Sequence, residues 1–216
     1  MLSRFLDRKS ESRQSSAQTR SGPRVPRHSG GWAALRKRLQ AEPGLRVIDV
    51  GGTSPTNINF LAGLGHSIFL ADLVTDAWNS EWQKGVDDDG NPILDVERFL
   101  EQSLNFAGRT FDIVLLWTSL DYLPEQFVLP VVECLHKAIN PGGQVLAMFH
   151  TKSQGDVTTY CRFHLTESDD VEIQASQPYP IQRAFTNRSI EKLFSGWSGF
   201  RQFLAKDGVS EVIITR

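Results

Sequence analysis

The chain has 216 residues, of which 40% are hydrophobic and 22% charged, and its formal net charge is −2. That length supports one substantial core, and the usual domain size argues against two. Two cysteines, Cys134 and Cys161, are too few for a disulfide framework, and no apolar run approaches the roughly 20 residues a membrane span needs, so a cytoplasmic location is expected.

Residues 1–30 carry seven Lys/Arg against two acids, and the remainder carries 16 against 23. Low hydropathy with same-sign charge leaves little to offset ordering entropy, so 1–30 is expected to be a disordered basic tail before a domain at 31–216. A nucleic-acid-binding arm or a transit peptide would share that composition, and no apolar core with a small-residue cleavage site marks a secretory signal.

From Gly31 onward, "WAALRKRLQ" spaces Trp32, Leu35 and Leu39 as one face of a helix, which Pro43-Gly44 ends. A strand "LRVIDV", a turn, a helix "PTNINFLAGLG" closed by Gly65 and a second strand "HSIFLADL" follow. A weak third strand is expected near "PILDV", then a helix "ERFLEQSLN". "FDIVLLW" reads as a strand buried on both faces, "PEQFVLPVVECLHKAIN" as a long helix that Pro130 could kink, and "QVLAMF" as another buried strand. Strands alternating with helices over short connections make a parallel doubly wound sheet. A late helix "RSIEKLFSGW" precedes two β-rich runs around Asp207-Gly208, a two-residue hairpin signal that makes the last strands antiparallel.

Ligands of such sheets sit at the carboxyl ends of the strands, beside the first one, where "VIDVGGTSPTN" lies. Gly51 and Gly52 let a ligand approach the backbone, while Ser54 suits an N-cap and Pro55 the first helical position. Asp72 stands 21 residues after Gly51, at the end of the next strand, the separation at which an acid takes ribose hydroxyls. A nucleoside-containing ligand is implied. A pyrophosphate fingerprint would need two further glycines where Thr53 and Thr56 stand, which speaks against a nicotinamide dinucleotide.

The order of these motifs resembles the class I S-adenosylmethionine-dependent methyltransferases, over nearly all of Gly31 to Arg216. "VIDVGGT" is similar to their first motif, "FLADL" to the second-strand acid, "FDIVLLWTSLDYLPE" to the fourth strand with its following turn, "INPGGQVLAMF" to the fifth strand's entry, and "AFTNRSIEKLFSGW" to the helix before the hairpin. The resemblance implies a Rossmann-like seven-stranded α/β sheet, mostly parallel with an antiparallel C-terminal β-hairpin, and S-adenosylmethionine as cofactor. It also implies Asp49 in the first motif, Gly51, Gly52 and Thr53 around the methionine part, Asp72 with Leu73 at the ribose, Asp95 or Val96 at the adenine edge and Trp117 on the cofactor's other face. The family usually has glycines at Thr53 and Pro55; here Pro55 preserves the helix start.

Methyl transfer to an electrophilic sulfonium asks mainly for positioning, and for a base only if the acceptor must lose a proton. His150, Tyr122 and Asp121 are the candidates for that base. No metal site is expected: "DDDGNPILDVE" lacks both end ligands of a calcium loop, and Cys161 with His164 has no second pair at zinc spacing. Trp78 and Trp82, four apart, read as one face of a short helix. Residues 151–183 read as an added β-ribbon near the site, where the acceptor would be chosen. The expected function is methyl transfer to a small-molecule acceptor, with no membrane partner; a non-catalytic binding module on the same fold and an RNA-modifying enzyme are the alternatives.

Overall fold

The computed structural model describes residues 22–78, 80–151, 158–203 and 207–216. Strand β1 (Arg24–His28) opens it, and Ser29 then caps helix α1 (Gly30–Ala41), its hydroxyl accepting from the Trp32 amide at 3.0 Å. There follow β2 (Arg46–Asp49), α2 (Pro55–Gly63), β3 (Ser67–Leu70), α3 (Leu73–Ala77), a 3-10 turn (Ser80–Trp82), β4 (Gln83–Val86), β5 (Pro92–Leu94) and α4 (Val96–Ser103). The second half runs β6 (Phe111–Trp117), α5 (Ser119–Tyr122), α6 (Glu125–Ala138), β7 (Ile139–His150), β8 (Thr158–His164), β9 (Asp170–Tyr179), α7 (Asn187–Leu193), β10 (Gly199–Phe203) and β11 (Val209–Thr215).

Six strands form the central sheet in the order β10-β11-β7-β6-β2-β3. β3, β2, β6 and β7 run parallel, and β11 and β10 close the sheet antiparallel. β6 and most of β7 are buried on both faces, which is why they read as unbroken apolar runs. One face packs α4, α6 and α7 through Phe99, Phe127, Val131 and Ile190. The other packs α1 through Trp32, Leu35 and Leu39, together with Phe163 and Val171 of the β8–β9 hairpin.

Four sequence expectations change. The segment near "PILDV" forms β5, but it pairs with β4 in a separate two-stranded sheet; among the described residues the central sheet has six strands, close to the seven expected. The expected tail reaches too far: β1 pairs along β9, and Arg27 is buried in ion pairs with Asp207 and Glu211, so residues 24–30 belong to the folded body. The rest of that basic segment, 1–21, lies outside the described residues. Asp207-Gly208 belongs to a connection longer than two residues, since Phe203 pairs with Glu211, although Gly208 does take φ +77°. Trp78 and Trp82 share no helix: α3 ends at Ala77, leaving Trp78 exposed and Trp82 buried in the 3-10 turn. Pro130 sits within α6 without ending it. Among the described residues no helix is long and apolar enough to cross a membrane.

Candidate functional site

The strand order reverses beside β2, so the crevice of this sheet lies above the carboxyl ends of β2, β3 and β6. Gly51 and Gly52 leave β2 there. A Cβ on Gly51 would stand 2.7 Å from Trp117 Cδ1, so its glycine is required by the protein's own packing. A Cβ on Gly52 would stand 3.7 Å from Asp72 Oδ2, which brings the loop and the acid at the end of β3 to one spot. Ser54 caps α2 and Pro55 opens it, as their chemistry suggests. Thr53 is exposed.

Asp49 and Trp117 do not face the crevice. Asp49 is 1% exposed; its Oδ1 accepts from Trp117 Nε1 at 2.8 Å and the Gly51 amide at 3.2 Å, and its Oδ2 from Asn57 Nδ2 at 2.8 Å. Burial pushes its carboxyl pKa up, and these donors work against that rise. The Trp117 ring stacks on Phe163, centroids 4.8 Å apart and nearly parallel, in the core. Its backbone has φ 51°, a conformation costly for a bulky residue and held here by the stack and the indole hydrogen bond. The pair expected at the cofactor therefore holds the loop from beneath. Leu73 is likewise buried in the core. Asp95 caps α4 through the Arg98 amide, Val96 packs on the core, and among the described residues no hydrogen bond joins either to Gly52 or Asp72.

Asp72 caps α3, accepting from the Thr75 amide at 3.2 Å, and its half-burial raises its pKa. What covers the crevice is β8. Asn57 ties that strand down, donating to the Phe163 carbonyl at 3.1 Å and accepting from the Leu165 amide at 2.7 Å. Ser54 Oγ lies 2.8 Å from His164 Nδ1, while His164 Nε2 faces Gln174 Oε1 at 3.0 Å; the proton is thus on Nε2 and Ser54 donates to Nδ1. Tyr160, 2% exposed, accepts the Gly52 amide at its hydroxyl and lies 3.5 Å from Ser119 Oγ; burial pushes its phenol pKa up. Two residues on, Arg162 places Nε 3.5 Å from the Gly52 Cβ position. Sequence reasoning missed Tyr160, Arg162, Asn57 and Ser119, though the alternation in "TTYCRFHL" does put Tyr160 and Arg162 on one face.

The base candidates do come together. Asp121 is fully buried, and its Oδ2 accepts from the His150 amide at 2.7 Å and from His150 Nδ1 at 2.6 Å. Its Oδ1 is buried without a hydrogen-bond partner. Burial pushes the Asp121 carboxyl up to about 6, against the pull of His150. Tyr122 lies between this pair and the crevice, edge-on to His150 at 6.0 Å and to Tyr160 at 5.0 Å. Trp78 stacks on Tyr179 and donates to the Tyr122 carbonyl at 3.1 Å, completing an aromatic wall. An apolar recess of about 490 Å³ between α4 and α6, lined by Leu104, Arg109 and Cys134, lies at the opposite ends of the strands and is no part of this site.

The profile of the methyltransferase domain family matches residues 26–201, from β1 to β10. The chain belongs to this family. It is a class I, S-adenosylmethionine-dependent methyltransferase family, as the motif order implied. Solved structures similar to the chain include a protein from Pyrococcus horikoshii (10% identity, 86% of this chain and 88% of that one, TM-score 0.49). Another is an S-adenosylmethionine-dependent methyltransferase from Methanosarcina mazei (14%, 84% and 96%, TM-score 0.48). A third is the 1,6-didemethyltoxoflavin-N1-methyltransferase of Burkholderia thailandensis with its substrate and S-adenosylhomocysteine (16%, 86% and 75%, TM-score 0.46). No curated protein matches the chain.

The donor set of the methyltransferase crevice suits the family's cofactor: a carboxylate for ribose hydroxyls, a backbone amide at Gly52, and a buried, unpartnered nitrogen on Arg162. The Tyr160 hydroxyl accepts the Gly52 amide, so a ligand takes that donor only by displacing the hydroxyl. Among the described residues no cluster of His, Cys, Asp and Glu could hold a metal ion.

Proposed function

We propose that the protein is an S-adenosylmethionine-dependent methyltransferase acting on a small-molecule acceptor. The observation that carries this reading is the meeting of Gly52 and Asp72 across the ends of two adjacent parallel strands, beside the point where strand order reverses. When bound, S-adenosylmethionine supplies a methyl group on an electrophilic sulfonium, so orientation and exclusion of water provide most of the acceleration. Asp72 accepts hydrogen bonds from the ribose, the Gly52 amide donates once Tyr160 leaves it, and β8 shields the crevice.

His150 is the proton acceptor of this proposal. Asp121 holds its Nδ1–H, which leaves the Nε2 lone pair to take a proton from a hydroxyl or amine as it is methylated. The aromatic wall of Tyr122, Tyr179 and Trp78 suits a flat or apolar acceptor. The carboxylates of Asp72, Asp76 and Asp121 around it would repel a polyphosphate backbone, which supports a small molecule over RNA.

Titration calorimetry of the full chain with S-adenosylhomocysteine tests the reading. Binding is expected, and Asp72→Ala should abolish it. His150→Ala should leave binding within about twofold while methyl transfer from labelled cofactor falls by about 10²–10⁴. Tyr160 in the crevice favours a second reading, a non-catalytic binding module on the same fold. A wild-type chain that binds no S-adenosylhomocysteine would decide for it.

A further inference from the structure

Helix α6 turns a raised row of side chains to solvent. Leu129, Glu133 and Lys137 stand four residues apart and are all exposed, so they form one ridge along the helix, while Val128, Val131 and Leu135 on its other side pack into the core. A recess flanks the ridge on each side. The one between α4 and α6, described above, is walled by Leu104, Phe106 and Ala138; a second, of about 290 Å³, lies between α6 and α7 and is walled by Val132, Leu193 and Trp197. Leu129 is 52% exposed at the edge of the second. An exposed leucine by itself is ordinary, but a leucine on a ridge between two apolar recesses has the shape of a packing surface.

Charge says what packs there. The ridge and its recesses carry Glu101 and Glu133 against Arg109, Lys137 and Lys192, so neither sign dominates enough to call for a polyanion or an acidic partner. Glu133 and Lys137 have the spacing and order of a favourable helical ion pair, yet among the described residues neither forms one. An acid and a base one turn apart on a ridge are complementary to the same ridge turned end for end. A two-fold axis passing between them sets Glu133 of each copy against Lys137 of the other. The same rotation carries Leu129 past the last turn of the facing α6, to the end where the recess beside Cys134 and Ala138 opens. Knob and hollow then meet twice, as an isologous contact requires.

We propose that this face of α6 is a homodimer interface, in which two copies pack their ridges antiparallel across a two-fold axis between Glu133 and Lys137. The contact stands apart from the cofactor reading, because none of its residues belongs to the crevice. One helix and two shallow recesses per copy place it at the small end of specific interfaces, with a dissociation constant on the order of micromolar.

Sedimentation velocity of the full chain tests it, over roughly 1–200 µM, a range that brackets such a constant. The wild type should shift from monomer to dimer. Glu133→Lys and Lys137→Glu each bring like charges together and should weaken the dimer by at least about tenfold. Mixed in equal amounts, these two variants set opposite charges against each other at both contacts and should dimerise to within about threefold of the wild type. The double variant Glu133→Lys/Lys137→Glu restores the pairing in reversed order and should recover as far. Both side chains are exposed, so the substitutions leave the fold in place. A wild type that stays monomeric throughout overturns the proposal. Single variants that dimerise as the wild type does would move the contact to another face, and a mixture no stronger than its components would remove the antiparallel register; either result overturns it as well.

Discussion

Two buried acids stand at or just past the ends of neighbouring strands, and their surroundings separate scaffold from site. Asp49, ending β2, has both oxygens matched, by Trp117, Gly51 and Asn57. Asp121, in the short helix after β6, has one oxygen carrying both bonds from His150 and the other buried with none. Both have raised pKa values through burial, so titration behaviour alone does not tell them apart. The hydrogen-bond tally does: a saturated acid locks the loop, and an unsaturated one keeps capacity for chemistry.

The sharpest way to break this comparison is Asp49→Ala. It leaves three buried donors without acceptors and should cost ~3–5 kcal/mol in urea unfolding. A loss below about 1 kcal/mol would remove Asp49 from the scaffold. Next comes pH. The folded-state pKa of Asp121 lies above its ordinary value of 3.8, at about 6, so folding disfavours its charged form. Its contribution to stability is therefore most favourable below about pH 4, declines as pH rises to about 6 and is flat above that. In Asp121→Asn the carboxamide oxygen keeps both donors and nothing titrates. The variant should thus gain on the wild type across that window, and parallel urea midpoints from pH 4 to 7 would speak against a strained carboxylate.

The smallest effect belongs to Tyr160→Phe. Losing the hydroxyl uncovers the Gly52 amide, costs about 1 kcal/mol and lowers the melting temperature by about 2–4 °C. Because the Gly52 amide then has no internal acceptor, S-adenosylhomocysteine should bind about two- to tenfold more tightly. Weaker binding would mean that the tyrosine belongs to the bound state.

What could be read before the fold was known was local. The strand–glycine–helix passage around Gly51, the acid at Asp72 and the alternation of "TTYCRFHL" each depend on neighbours a few residues away, and each sits where its pattern implied. An aromatic residue at a strand end can turn up or down, and for Trp117 the ring of Phe163, 46 positions away, decides which. The same distance problem hid Tyr160: its meeting with Gly52 depends on how a hairpin docks, and Asn57, which docks it, looks in sequence like any polar helix residue. His150 and Asp121 were named as separate candidates, yet their coupling needed the ends of β6 and β7 brought side by side.

Arg27 joins the beginning of the described chain to its end. It pairs with Asp207 and Glu211, and Glu211 in turn accepts from the Ser29 hydroxyl and the Gly31 amide, both at 2.9 Å. β1 also forms the outer edge of the sheet whose far strand bears Tyr160 and Arg162. A nascent polypeptide emerging from the ribosome thus cannot anchor the rim of its ligand crevice until β11 is made, and a protein shortened to begin at residue 31 would leave Glu211 a stranded charge and the cover of that crevice without its rim.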